Sequence, residues 1–194
     1  MDILKTLTEE FSLTNEHTKN IVTLIDEGNT IPFIARYRKE MTGSCDDQVL
    51  RSLSDRLTYL RNLEKRKEEV SAAITEQGKM TDEITVALAA ASTLTEVEDI
   101  YRPYKQKKKT RASVAIEKGL QPLADLILQH STATDVKAEA EKYVSEEKGV
   151  SSSDAAIAGA KDIIAEIASD NAEIRKKLRN IYLKTGTLTA VYTQ

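Results

Sequence analysis

The chemistry most legible in this chain is cationic. Arg102, Lys105, Lys107, Lys108, Lys109 and Arg111 fall within ten residues, and no acidic residue occurs between Asp99 and Glu117. Removing these six charges from a net charge of −3 leaves −9 on the rest of the chain, so a positive stretch lies against an acidic background. Lysines of this kind suit phosphate oxygens without choosing a base sequence. Tyr101 and Tyr104 beside them are candidates for stacking on unpaired bases. Two other readings stay open: a solvated loop, or pairing within the chain to Glu96, Glu98 and Asp99. A second basic group, Arg36, Arg38 and Lys39, closes the run Ile31-Pro32-Phe33-Ile34-Ala35-Arg36-Tyr37-Arg38-Lys39.

That run follows Gly28-Asn29-Thr30 and a preceding amphipathic stretch, an order resembling a helix-turn-helix. In DNA readers the base contacts come mainly from the start of the second helix. Here that start is Ile31-Pro32-Phe33-Ile34, a sequence suited to a core, so base readout is not expected. The charges are candidates for phosphate contact, and an ordinary solvated helix end is the reading favoured. Catalytic patterns are missing from the sequence. His17 and His130 are the only histidines and neither has a cysteine nearby; Cys45 is the single cysteine, which excludes an internal disulfide and a cysteine-based zinc site. Walker, GxGxxG and HExxH motifs are absent. Carboxylates gather at Asp46-Asp47 and at Glu96, Glu98 and Asp99, in expected first helical turns where negative charge suits the helix dipole. No enzyme, no metal and no cofactor is the expectation.

The elements that must carry these groups are helical. Across 194 residues the chain has 40% hydrophobic and 30% charged residues but only 7 Gly and 3 Pro, too few turn formers for a sandwich or barrel. Apolar spacing predicts an opening helix from Ile3 to Phe11, a second capped by Thr14 and ended by Gly28, and a third begun at Thr30. The longest is expected over about 46–77, with Leu50, Leu53, Leu57 and Leu60 in a seam that Glu64 and Lys67 continue. Thr81 and Thr95 are expected N-caps, the latter in a capping box with Glu98. Arg102-Pro103 ends that helix, and shorter helices follow near Ser113–Lys118 and from Pro122. Lys148-Gly149-Val150-Ser151-Ser152-Ser153 reads as a linker whose last serine caps a small-residue helix. Gly159 inside that helix points to close approach by a neighbour. Residues 187–192 have strand-like composition. The expectation is an all-α, elongated multi-helix array with a possible short strand near the C-terminus, divided into a helical region 1–148 and a stretch 149–194. No apolar run reaches the roughly 18 residues of a membrane span, and one cysteine fits a reducing compartment, so a cytoplasmic protein without a membrane partner is expected.

Two long stretches, Gly28-Asn29-Thr30-Ile31-Pro32-Phe33-Ile34-Ala35-Arg36-Tyr37-Arg38-Lys39-Glu40 and Thr93-Leu94-Thr95-Glu96-Val97-Glu98-Asp99-Ile100-Tyr101-Arg102-Pro103-Tyr104-Lys105, resemble the N-terminal part of the Tex family of bacterial transcription accessory proteins. The resemblance implies a longer parent protein with ribonuclease-H-like, helix-hairpin-helix and OB-fold RNA-binding domains outside these residues. It implies RNA or DNA as partner, chiefly through the OB-fold domain, and contact with the transcription machinery. No catalytic residue carries over. The chain departs from the family pattern at Gln106, Lys107 and Lys108, where the family has a second proline and arginines, and at Cys45, where it has an apolar residue. The alternative function is a protein-interaction module without direct nucleic-acid contact.

Overall fold

A row of leucines organises the N-terminal half. In the computed structural model, which describes residues 2–105, 109–129 and 135–190, Leu50, Leu53, Leu57, Leu60 and Leu63 are buried along one side of a helix running Asp47–Glu76. At 1.5 Å per residue its 30 residues extend about 45 Å. Asp46 caps it by accepting from the Val49 amide at 2.8 Å. Further along, Val70 and Ile74 continue the buried face, and Lys67 sits in the same row. The Lys67 ammonium is tolerated there because it lies 3.0 Å from Glu64 and donates to the Ala89 carbonyl at 3.4 Å.

The chain divides into two units, Met1–Val97 and Glu98–Gln194. In the first, α1 (Ile3–Glu10), α2 (Asn15–Asp26) and α3 (Ile31–Tyr37) pack on the long helix, α4. Leu7, Ile21, Leu24 and Ile34 complete a core with the α4 leucines. Two forked ion pairs fix the register: Arg56 donates to Glu10 at 2.7 and 2.6 Å, and Arg61 to Asp26 at 2.7 and 2.8 Å. The expected caps at Thr14 and Thr81 form, accepting from His17 and Ile84 amides. After α5 (Asp82–Ala90), α6 (Leu94–Tyr101) is capped two residues earlier than expected: Thr93, not Thr95, accepts the Glu96 amide at 3.2 Å. The Glu96 carboxylate reaches back to the Ser92 amide at 2.8 Å, and Thr95 lies inside the helix, so it is not the cap of the expected Thr95–Glu98 box.

The second unit opens with the end of α6 and a 3₁₀ turn, Arg102–Tyr104, at the expected Arg-Pro break. Helices α7 (Arg111–Glu117), α8 (Gln121–Leu128) and α9 (Val136–Glu141) all pack on α10 (Ser153–Asp170). Gly159 permits this contact: a Cβ there would lie 2.4 Å from Leu120 Cδ1 and 3.3 Å from Ala115 Cβ. The stretch expected as a linker is instead a packed turn. Val150 is buried, exchanges backbone hydrogen bonds with Ser145, and Gly149 accepts from Lys118 Nζ at 2.8 Å. Ser152, one residue before the expected cap, accepts the Ala155 amide. Residues 187–190 pair with no other strand, and 191–194 lie outside the described residues. Among the described residues the fold is all-α, with one isolated bridge at Ser145–Val150.

The last helix, α11 (Ala172–Thr185), has no buried residue. It is tied down by Asp99 on α6, a carboxylate 6% exposed that accepts from Arg175 Nε at 2.6 Å and from Arg179. Burial pushes this carboxyl up, but hydrogen bonds and charge from Arg179 and Arg175 outweigh it and hold it below the ordinary range. A depressed carboxyl stabilises its contact at any pH above the unfolded value, about 3.9, and loses that stabilisation as pH falls through its folded value.

Two outcomes follow. Gly159→Ala gains about 1 kcal/mol of helix propensity but overpacks against the buried Leu120, at a cost of about 1–3 kcal/mol. It should therefore give no stabilisation, and Gly159→Val should be clearly destabilising, both measured as amide exchange in α10. Asp99→Asn should weaken the α11 attachment by about 1–3 kcal/mol, seen as faster exchange across 172–185 with α10 unchanged. In the unaltered protein the same acceleration should begin only at a pH below the ordinary aspartate range.

Candidate nucleic-acid interface

The described cations of the segment 102–111 do not form a free positive patch. Arg102 lies 2.9 Å from Asp170, Lys105 2.8 Å from Glu98, and Lys109 3.0 Å from Glu117. Arg111 is placed in the first turn of α7, where its charge opposes the helix dipole, with Asp162 at 3.7 Å. Thr110 and Ser113 lock this turn in a reciprocal capping box. Lys107 and Lys108, with Gln106, lie outside the described residues. Tyr101 and Tyr104 are half-buried, and Lys105 Nζ stands 5.7 Å over the Tyr101 ring. An open groove of about 470 Å³ adjoins the segment, but its charged lining alternates Arg102, Lys105 and Arg111 with Asp162, Glu166 and Asp170. Pairing within the chain is thus the state of the described part of this loop, with Glu98 as expected and with Asp170, Glu117 and Asp162 in addition. Among the described contacts Glu98 pairs with Lys105, while Glu96 binds the Ser92 amide and Asp99 binds Arg175 and Arg179.

Arg36, Arg38 and Lys39 are placed differently. α3 ends at Tyr37, two residues short of expectation, because Arg38 leaves helical geometry with φ −129°. Arg36 is in the last helical turn, where a cation suits the dipole. Arg38 and Lys39 start a tight turn whose carbonyls are bound by the Thr42 and Ser44 amides. Thr42 is fully buried in this turn, and Asn20 on α2 donates to the Met41 carbonyl at 3.1 Å. Gly43, at φ +65°, lets the His17 ring approach so closely that a Cβ would sit 2.5 Å from Nδ1. The turn is therefore fixed from inside while its cations face out. None of the three pairs with a carboxylate among the described residues. They border an open groove of about 770 Å³, together with Asn29, Glu27 and Glu40.

Phe33 does not enter the core as expected; it is 36% exposed. Arg38 lies over its ring at 5.2 Å, and Tyr37, 61% exposed, packs against it with ring centroids 5.3 Å apart. Ile34 alone of this quartet is fully buried. The sequence reading overlooked Tyr37 as an aromatic surface, although its position between two arginines marked it.

Several other groups that the sequence singles out have structural roles. Asp46 caps α4 and Asp47 pairs with Arg51 at 2.6 Å. Burial and the Asp46 charge push the half-buried Cys45 thiol up, which suppresses thiolate chemistry. His17 is a packing residue against Gly43, and His130 lies outside the described residues. Among the described residues no three of His, Cys, Asp or Glu gather in a metal-holding arrangement. No helix there is long and apolar enough to cross a membrane.

Comparison with known proteins places these features in a family. Residues 1–75 match the family model for the Tex-like protein N-terminal domain, and residues 131–194 match the Tex central region-like model. The turn carrying Arg36, Arg38 and Lys39 lies inside the first match, whereas the segment 102–111 lies between the two. The chain is 48% identical to the uncharacterized protein YdcI of Bacillus subtilis, over 94% of this chain and 25% of that protein. It is 44% identical to the transcriptional accessory protein Tex of Neisseria gonorrhoeae, over 93% of this chain and 23% of that one. With the human S1 RNA-binding domain-containing protein 1 it shares 29% identity over 94% of its length and 18% of the relative. The chain thus spans about a quarter or less of the length of these relatives. Two successive family matches, and identities near one half along almost the whole chain, establish that the chain belongs to the Tex family.

Proposed function

We propose that this helical region of a Tex-like transcription accessory protein is a non-enzymatic cytoplasmic scaffold that makes auxiliary phosphate contacts with RNA or DNA through the end of α3. The observation that carries the proposal is the contrast in charge pairing. Arg36, Arg38 and Lys39 are exposed on a rigid turn without carboxylate partners, whereas Arg102, Lys105, Lys109 and Arg111 each have one. A phosphate at the α3 turn meets cations with no carboxylate to displace; at the loop it must first displace one. Exposed ion pairs are weak, typically about 0–1 kcal/mol each, so the loop acts as a secondary contact rather than an inert one.

The name of the human relative, with its S1 RNA-binding domain, supports a nucleic-acid setting for the family. The positions occupied by Glu27 and Glu40 at the rim of the α3 groove argue for modest affinity. The main nucleic-acid surface of a full-length family member is accordingly assigned to parts outside this chain. The three cations here then orient a strand that is held elsewhere. Contacts of this kind read the backbone and not the bases, in keeping with a helix start whose Ile34 is committed to the core.

A salt series tests the assignment. Binding of the chain to a labelled single-stranded RNA should weaken with rising salt, with a slope of about 0.7 per phosphate engaged. Neutralising Arg36, Arg38 and Lys39 together should reduce the slope by about 2. Neutralising Lys105 and Lys109 should change it by less than about 1. A larger loss from the loop variant than from the α3 variant overturns the assignment, and absence of binding at low salt removes direct contact altogether. Turnover of nucleic acid by the purified chain would contradict the non-enzymatic reading.

A further inference from the structure

Helix α11 presents apolar side chains that stay 40% or more exposed among the described residues of its own unit. Ile174, Leu178, Ile181 and Tyr182 recur at i, i+4, i+7 and i+8, which places them on one stripe, and they are between 40 and 71% exposed. Isolated exposed apolar residues are ordinary, but four in one stripe mark an interaction surface. The same helix carries five cations, Arg175, Lys176, Lys177, Arg179 and Lys184, against the single carboxylate of Glu173. At 100° per residue, Arg175 and Arg179 border one side of the stripe, where Asp99 neutralises them. Lys177 and Lys184 border the other side, exposed and without a carboxylate among the described residues. Asp99 thereby fixes the rotation of α11, leaving the stripe and one cationic flank outward.

We propose that this stripe is the seat of an acidic amphipathic helix of a partner protein, with apolar side chains on Leu178 and its neighbours and carboxylates facing Lys177 and Lys184. Helix-in-groove docking uses this spacing of anchors, and flanking charges choose the partner. Charge complementarity decides against a second copy. Antiparallel pairing about a two-fold axis sets like flanks together, so Lys177 and Lys184 would meet the same lysines of the other copy. An anionic membrane is disfavoured because one flank is already neutralised and the chain carries a net charge of −3.

The probes are two fluorescein-labelled amphipathic peptides of about 18 residues, long enough to form a helix against α11, one built of Leu and Glu, the other of Leu and Lys. Titrated with the chain at physiological ionic strength, the acidic peptide should bind saturably and the basic one should not. Leu178→Asp should weaken binding at least about tenfold with the circular dichroism unchanged. Lys177→Glu combined with Lys184→Glu should lose the acidic peptide and gain the basic one. The proposal is overturned by equal binding of both peptides, by no binding, or by indifference to Leu178→Asp. Self-association abolished by Leu178→Asp would assign the stripe to a second copy. Preferential binding to phosphatidylserine vesicles would assign it to a membrane.

Discussion

The N-terminal unit depends on the leucine row of α4. Leu50, Leu53, Leu57 and Leu60 are each at most 2% exposed, and each of α1, α2 and α3 contributes its own buried side chain to them. Ile34 is the contribution of α3, and burying it dictates which way the rest of that short helix faces. With Ile34 inward, Arg36 two residues on falls on the outside, whereas Tyr37 and Arg38 share the Ile34 side and are exposed because the helix ends there, with Phe33 at the rim beneath the Arg38 guanidinium. Arg36 is therefore oriented by an apolar contact, while the buried Thr42 and the Gly43–His17 approach hold the following turn that carries Arg38 and Lys39. A change in the α4 row would disturb the site without touching a charged residue.

In the second unit charge does the positioning. Asp99 holds α11, Asp170 holds Arg102 beside the end of α10, and Glu98 draws Lys105 back toward α6. The exposed pairs add little stability one by one. Their effect is on potential: each brings a carboxylate within 4 Å of a cation that the sequence displays as free, so the field of the segment is smaller than its composition suggests. Among the described residues, Arg36, Arg38 and Lys39 at the end of α3 have no carboxylate partner, and neither do Lys177 and Lys184 on α11.

Local signals were legible in the sequence. The long helix, the Thr14 and Thr81 caps, the Arg-Pro break and the close approach at Gly159 rest on neighbours within a few residues, or on a side chain that is missing, and periodicity reports these directly. Shifts of one or two residues arose where polar side chains compete for one cap, as Thr93 does with Thr95 and Ser152 with Ser153. Long-range pairing was hidden: Arg102 meets Asp170 across 68 residues, and Asp99 meets Arg175 and Arg179 across 76 and 80. Val150 looked like part of a linker because nothing nearby shows that a bridge to Ser145 buries it. Phe33 looked like core for a similar reason, since an apolar type does not reveal which side of a seven-residue helix wins the burial.

The most direct measurement of the central claim is a nuclear magnetic resonance titration of the chain with a short single-stranded RNA at low salt. If the end of α3 is the phosphate contact, amide and guanidinium shifts will concentrate at Arg36 to Met41, with smaller changes from Lys105 to Arg111. Shifts concentrated in the loop, with Arg36 and Arg38 unmoved, would contradict the account.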